Sequence, residues 1–174
     1  MRTAGRRAFT AALARGIAWP VTAPLVVPGL LSWASPAQAK DSALPVPTSL
    51  SMAADAAGAK GEPLVLLVSL PGCPYCELVR RSYLLPARHE SGLQAWQLDI
   101  TDATRPLTAF DKRPTNAAAQ IRSWKATFTP TVLFFGPRGE ELAERLVGVA
   151  VPDFYGAYLD ERLATARKAL LKRP

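Results

Sequence analysis

Histidine is nearly absent from this sequence of 174 residues, which holds only His89, and cysteine is scarce, present only as Cys73 and Cys76. A structural zinc normally takes four sulfur or nitrogen ligands, so these three side chains leave such a site incomplete within one chain. With no third cysteine, nothing competes with Cys73 for Cys76. Long polar tracts are also missing, and a composition 49% hydrophobic and 20% charged excludes a disordered chain. There is no internal repeat, and the length suits one ordinary domain.

Acidic residues are absent from the first 39 positions, which carry Arg2, Arg6, Arg7 and Arg15, an apolar middle, and Ala37-Gln38-Ala39 before Lys40. This is the layout of a cleaved secretory signal. Arg6-Arg7 followed by Ala8-Phe9 resembles a twin-arginine export signal, which places the mature protein in a periplasm. Pro20, Pro24, Pro28 and Pro36 argue against an uncleaved spanning anchor and against the amphipathic helix of a mitochondrial presequence. Without that segment, 17 of the 21 basic residues remain against all 14 acidic ones, a net charge of +3 with no basic cluster. A nucleic-acid partner is not expected.

Beyond the signal, Lys40 to Pro47 has two prolines and no apolar period, so residues 40–48 read as a tether and 49–174 as the domain. Thr48 or Ser49 is placed to cap a helix that runs to about Ala59. "PLVLLVSL", Pro63 to Leu70, suits a strand buried on both faces. Pro71-Gly72 makes a turn, and Pro74 opens a helix expected to end at Leu85, before Pro86, with His89 in the polar loop beyond. Leu93 to Thr101 alternates in part like a strand, and Asp102 to Pro114 reads as an irregular inserted loop. A helix capped by Thr115 or Asn116 is expected to about Ala126. Two strands follow, "TFTPTVLFFG" and "EELAERLVG", joined by a tight turn at Gly136 to Gly139, and a last helix begins near Pro152. Strand-helix-strand order calls for a parallel pair and the final hairpin for an antiparallel one, hence an α/β fold with a mixed central sheet of about four strands and helices on both faces.

The cysteines admit three readings. A structural crosslink closing so short a loop removes little entropy from the unfolded chain. A metal site lacks ligands. A redox pair has a mechanism: a cysteine at a helix N-terminus faces unpaired N–H groups and the positive end of the dipole, which stabilises its thiolate. Cys73 is then the nucleophile, and Cys76, one turn deeper on the same helix, is placed to resolve a mixed disulfide.

"GCPYC" after a buried strand, followed by "TPTVLFFGPRGEELAERLVG" and a final amphipathic helix, resembles the thioredoxin superfamily over most of residues 49 to 170. The resemblance implies a thioredoxin fold, a cis Pro130 facing the cysteines, and Thr129 offering backbone hydrogen bonds to an extended substrate segment. It also makes Pro74 and Tyr75 the residues that tune the redox pair. Cys-Pro-Tyr-Cys is the glutaredoxin tetrapeptide, but the positions with which glutaredoxins hold glutathione are not evident. The aspartate that typical thioredoxins carry in the strand before the cysteines is absent, so proton transfer from Cys76 falls to water or, less plausibly, to Glu77.

The sequence is most similar to exported thioredoxin-like proteins of the SoxW type, from the sulfur-oxidation system. That likeness implies a thiol-disulfide oxidoreductase working as a disulfide reductase on a disulfide-containing protein, recharged by a membrane electron-donor protein of the thiol-disulfide relay type. No cofactor beyond the redox-active Cys73-Cys76 disulfide is expected. Related exported thioredoxins serve cytochrome c maturation. Two alternatives stay open: a disulfide-forming oxidase in the same compartment, and a non-catalytic binding or chaperone module on the same fold. Trp96 and Trp124 are expected as packing residues, and the 102–114 segment as a tolerated surface insertion, with a partner contact as the alternative.

Overall fold

The computed structural model describes residues 43–172; the expected signal peptide, 1–39, lies outside the described residues. The elements, in chain order, are α1 (Leu50–Gly58), β1 (Leu64–Ser69), α2 (Pro74–Val79), a π-helical turn (Arg80–Leu84) and α3 (Leu85–Ser91). They continue with β2 (Ala95–Asp99), β3 (Leu107–Thr108), β4 (Pro114–Thr115), α4 (Ala117–Ser123), β5 (Thr131–Phe135), β6 (Leu146–Val147), a 3-10 turn (Pro152–Phe154) and α5 (Tyr155–Leu171).

The main sheet has the order β2-β1-β5-β6. β1 runs parallel to β2 and antiparallel to β5, and β6 returns antiparallel beside β5. Every residue of β1 and β5 is buried, which is why both read as unbroken apolar runs. Alternate side chains serve two cores. Val65, Leu67, Val132 and Phe134 pack with Val79, Leu84 and the α5 residues Tyr155, Leu159 and Leu163. Leu64, Leu66, Val68, Leu133 and Phe135 pack with α1 and with Ala117 and Ile121 of α4. Each fully buried leucine contributes roughly 1.5–3 kcal/mol, so the two-faced sheet accounts for the stability of the arrangement.

Local chemistry sets the helix starts. Ser49 Oγ accepts the Met52 N–H at 3.2 Å and Asn116 Oδ1 accepts the Ala119 N–H at 2.8 Å, as their residue types predict. α4 stops earlier than expected: Lys125 takes a left-handed φ of 55°, and the N–H groups of Lys125 and Ala126 return to the carbonyls of Arg122 and Ile121. This is the double bond of a Schellman closure, formed without glycine.

Four further expectations are corrected. The helix begun at Pro74 does not end at Leu85. The Leu85 N–H donates five residues back, to the Arg80 carbonyl, and this wider turn relieves the clash that the Pro86 ring would make with an α-helical carbonyl. The helical path therefore continues to Ser91, and His89 lies in α3 rather than a loop.

The described part of the expected tether, 43–48, belongs to the domain. Leu44 enters one core and Val46 the other, while the Pro45 carbonyl accepts the Gln97 N–H at 2.9 Å and covers the outer edge of β2. Residues 102–114 are not irregular either. β3 and β4 form a hairpin that buries Leu107 and sets Phe110 against Trp124 and Phe135, with ring centroids 6.1 and 5.0 Å away. The second strand of the last hairpin shrinks to Leu146–Val147 plus a bridge between Phe135 and Glu141, because Leu142 and Ala143 turn inward to the core.

Candidate functional site: a dithiol at the sheet edge

β1 delivers the chain to the site. After Ser69 the Leu70 carbonyl accepts the Cys73 N–H at 3.2 Å, with Pro71 and Gly72 at the turn's centre. Gly72 has φ 76°, the left-handed value that the third position of a type II turn requires and that glycine adopts without a Cβ penalty. The turn ends with Cys73 in extended conformation as the N-cap of α2, and Pro74 occupies the first turn, where its missing N–H costs nothing.

Cys73 and Cys76 form a disulfide with Cα atoms 5.2 Å apart. Cys73 Sγ also accepts the Cys76 N–H at 3.2 Å, so the cap partner of this helix is the sulfur itself. The two differ sharply in access: Cys73 is half-buried and Cys76 is 1% exposed. Tyr75 between them is 56% exposed.

The Thr129-Pro130 peptide is cis, with Pro130 buried and Thr129 half-buried. Thr131 stands opposite Val68 on one side and Val147 on the other, so the start of β5 shares a sheet edge with the end of β1 that leads to Cys73. The Thr131 hydroxyl donates to the Phe128 carbonyl at 2.7 Å and fixes the approach to Pro130. Topology thus brings the two sequence motifs to one edge. Exposed apolar side chains lie along it: Leu70, Tyr75, Phe128 and Val147.

Glu77 does not stand free to take a proton from Cys76. Its carboxylate pairs with Arg80 and Arg81, and the hydrogen bond from Arg80 is the main reason that it titrates below the usual carboxylate value. Arg80 and Gln97 were not foreseen at this site; Arg80 Nε donates to Gln97 Oε1 at 2.7 Å beneath α2. The only signal in the sequence was the spacing of Arg80, four residues beyond Cys76 on a helix. Gly148, whose N–H donates to the Pro130 carbonyl at 2.8 Å, was also missed.

Trp124 stacks on Phe135 at 4.8 Å and Trp96 lies under the Arg88 guanidinium at 5.4 Å, both in packing roles. A surface cavity of roughly 510 Å³, lined by Phe110, Arg113, Gln120 and Arg138 among others, is separate from the dithiol. Arg138 follows the opposite end of β5.

Residues 50–162 match the family model described as a thioredoxin-like domain, and the chain belongs to that family. A thioredoxin-like domain with a Cys-x-x-Cys disulfide at the head of its second helix is a thiol-disulfide oxidoreductase. No curated protein matches the sequence. Among solved structures it is similar to thioredoxin O2 from Arabidopsis thaliana in its oxidized state, at 17% identity over 70% of this chain and 96% of that one, with a TM-score of 0.48. It is similar too to the reduced periplasmic thioredoxin SoxS from Paracoccus pantotrophus, at 24% identity over 60% of this chain and 99% of that one, with a TM-score of 0.39.

Proposed function

We propose that the protein is an exported disulfide reductase of the SoxW type, acting in the periplasm on a disulfide-containing protein and recharged by the dithiol of a membrane electron donor. The observation that carries this reading is the open, asymmetric dithiol: a half-buried Cys73 bordered by exposed Leu70, Tyr75 and Phe128, with Cys76 enclosed behind it. Sulfur oxidation and cytochrome c maturation are the processes in which such a reductase would serve.

The reaction starts from the reduced pair. The Cys73 thiolate attacks one sulfur of the substrate disulfide; a Cys73-substrate bond forms, the substrate bond breaks, and the released thiolate takes up a proton. Cys76, deprotonated, then attacks Cys73 Sγ, closing the Cys73-Cys76 disulfide and releasing the second substrate sulfur. Two electrons and two protons pass to the substrate. The dithiol carries them without another cofactor. The Thr129 backbone, beside Pro130, pairs with the extended substrate segment, and Pro74 and Tyr75 set the potential of the pair.

Reduction is favoured over disulfide formation because the described domain has no large helical insertion of the kind seen in typical disulfide-forming oxidases; the segment between β2 and α4 is a short hairpin. Equilibration with a glutathione buffer tests the direction. A potential near that of thioredoxin, about −270 mV, is expected, and one near −120 mV would assign the protein as an oxidase instead.

A Cys76→Ser variant expressed in the periplasm should trap the substrate as a mixed disulfide through Cys73, identifiable by mass. Failure to trap any protein, with substrate binding retained, would favour a binding module. Export rests on Arg6-Arg7 and Ala37-Gln38-Ala39: mature protein should begin at Lys40, and Arg6-Arg7→Lys-Lys should block export.

A further inference from the structure

Among the described residues, Arg80 is the only charged side chain that is buried, at 9% exposure. Taking a guanidinium out of water is expensive, and a helix of this kind has an exposed face where it would cost nothing. Its position is informative. Arg80 lies one turn beyond Cys76, whose carbonyl accepts its backbone N–H. The side chain turns inward: Nε donates to Gln97 Oε1 at 2.7 Å, and Nη1 pairs with the Glu77 carboxylate. Gln97 stands opposite Leu67 on β1, and Leu67 packs in the same core as Val79 of α2. The cation is therefore held between the helix of the dithiol and the sheet.

Apart from the Glu77 carboxylate that pairs with it, the described polar groups on this side give that charge no direct counter-ion. β1 offers Val65 and Leu67, with Ser69 at its end, and no acid. On β2, Asp99 shares the face of Gln97, and its carboxylate accepts the N–H and hydroxyl of Thr101. The π-turn and α5 contribute the phenols of Tyr83 and Tyr155, whose rings lie 5.0 Å apart. Arg81 points outward. Glu77 is the carboxylate paired with Arg80, and with 47% of its side chain exposed against 11% for Arg80, water screens it more strongly.

We propose that Arg80 is a positioning residue for the resolving step: it fastens α2 to β2 through Gln97 and, by its fixed positive charge, favours the thiolate of the enclosed Cys76. Burial in apolar surroundings works against a thiolate, and a neighbouring cation works for it. The thiolate is the form that bonds to Cys73 Sγ and expels the substrate sulfur, so the charge serves the second half of the reaction. The proposal rests on the oxidoreductase reading given above.

The test isolates Cys76. In a Cys73→Ser background the ultraviolet absorbance of the Cys76 thiolate is followed against pH, with no substrate present. Arg80→Met should raise the midpoint by about one pH unit, a tenfold loss of thiolate below it. Arg80→Lys, which keeps the charge, should restore most of that loss. Glu77→Gln, which removes the counter-charge at an exposed position, should move the midpoint down. An unchanged midpoint in Arg80→Met, or an Arg80→Lys variant that shifts as far as Arg80→Met, would overturn the proposal and leave Arg80 as a structural pin. Should Arg80→Met not fold, Arg80→Gln, which removes the charge but keeps a polar head for Gln97, decides: a rise in the midpoint supports the proposal, and no change or a fall overturns it. Because the titration involves no disulfide exchange, its failure is separate from a failure of the unsubstituted protein to reduce a protein disulfide.

Discussion

The Pro130 carbonyl accepts the Gly148 N–H at 2.8 Å, tying the end of β6 to the start of β5. Gly148 has φ 67°, and Val147 before it pairs with Thr131 while remaining 53% exposed. The bond therefore places an apolar side chain and a fixed backbone edge beside Thr129, on the side of the sheet where β1 hands over to Cys73.

Gly148→Ala should disturb that edge. An added Cβ meets nothing within 4 Å, so the cost is the left-handed backbone alone, about 1 kcal/mol. A lowered denaturation midpoint together with a raised KM for a protein disulfide, at nearly constant kcat, is the expected pair of readings.

Gly72→Ala should cost a similar amount for the same reason, since space is open around it at φ 76°. Here the turn presents Cys73, so the rate of attack on a disulfide should fall as well. Stopped-flow reduction of a model disulfide, compared with urea unfolding of the same variant, separates the two effects.

Alkylation of the reduced protein should be ordered. Cys73 is half-buried and caps α2, whereas Cys76 is 1% exposed, so a small alkylating reagent should label Cys73 first. Peptide mapping after short exposure should find the label on Cys73; equal labelling of both would contradict the assigned roles.

Phe110→Ala should destabilise the domain without harming the chemistry. It removes a ring packed on Trp124 and Phe135, and about 2–4 kcal/mol is expected for a largely enclosed aromatic. Trp124 fluorescence should report the loosened cluster while disulfide reduction below the melting range is retained, marking residues 107–115 as packing rather than a partner contact.

Acid should weaken the hold of α2 slightly. The Arg80 hydrogen bond lowers the Glu77 pKa in the folded state from its ordinary 4.5, so this stabilisation is complete above that value and is lost as pH falls through the lower folded one. Because Glu77 is half-exposed, the loss should be less than about 1 kcal/mol. Comparison of urea midpoints at neutral and acid pH should show a smaller drop for Glu77→Gln than for the unsubstituted protein.

The parts of the fold that were legible are those with a local cause. β1 could be read because burial on both faces demands an unbroken apolar run, and α2 because Pro74 suits a first turn. The dithiol could be read because helix geometry alone brings residues three apart together. Residues 43–48 carry no legible strand signal because Pro45 and Pro47 lack the N–H groups of a ladder strand, although a carbonyl suffices to cover the edge of β2. Pro86 misled for a similar reason: it forbids an ordinary α-helical turn, and the chain answered with a wider one.

Local chemistry was enough to put a closely spaced cysteine pair at the head of a helix, since capping, proline placement and spacing act within a few residues. Only the tertiary structure decided what surrounds them. Whether Arg80 faces water or Gln97, whether Gly148 meets Pro130, and whether Phe110 is surface or core depend on strand register and on helices crossing a sheet. Those contacts form between residues far apart in the chain, where no local preference reports them.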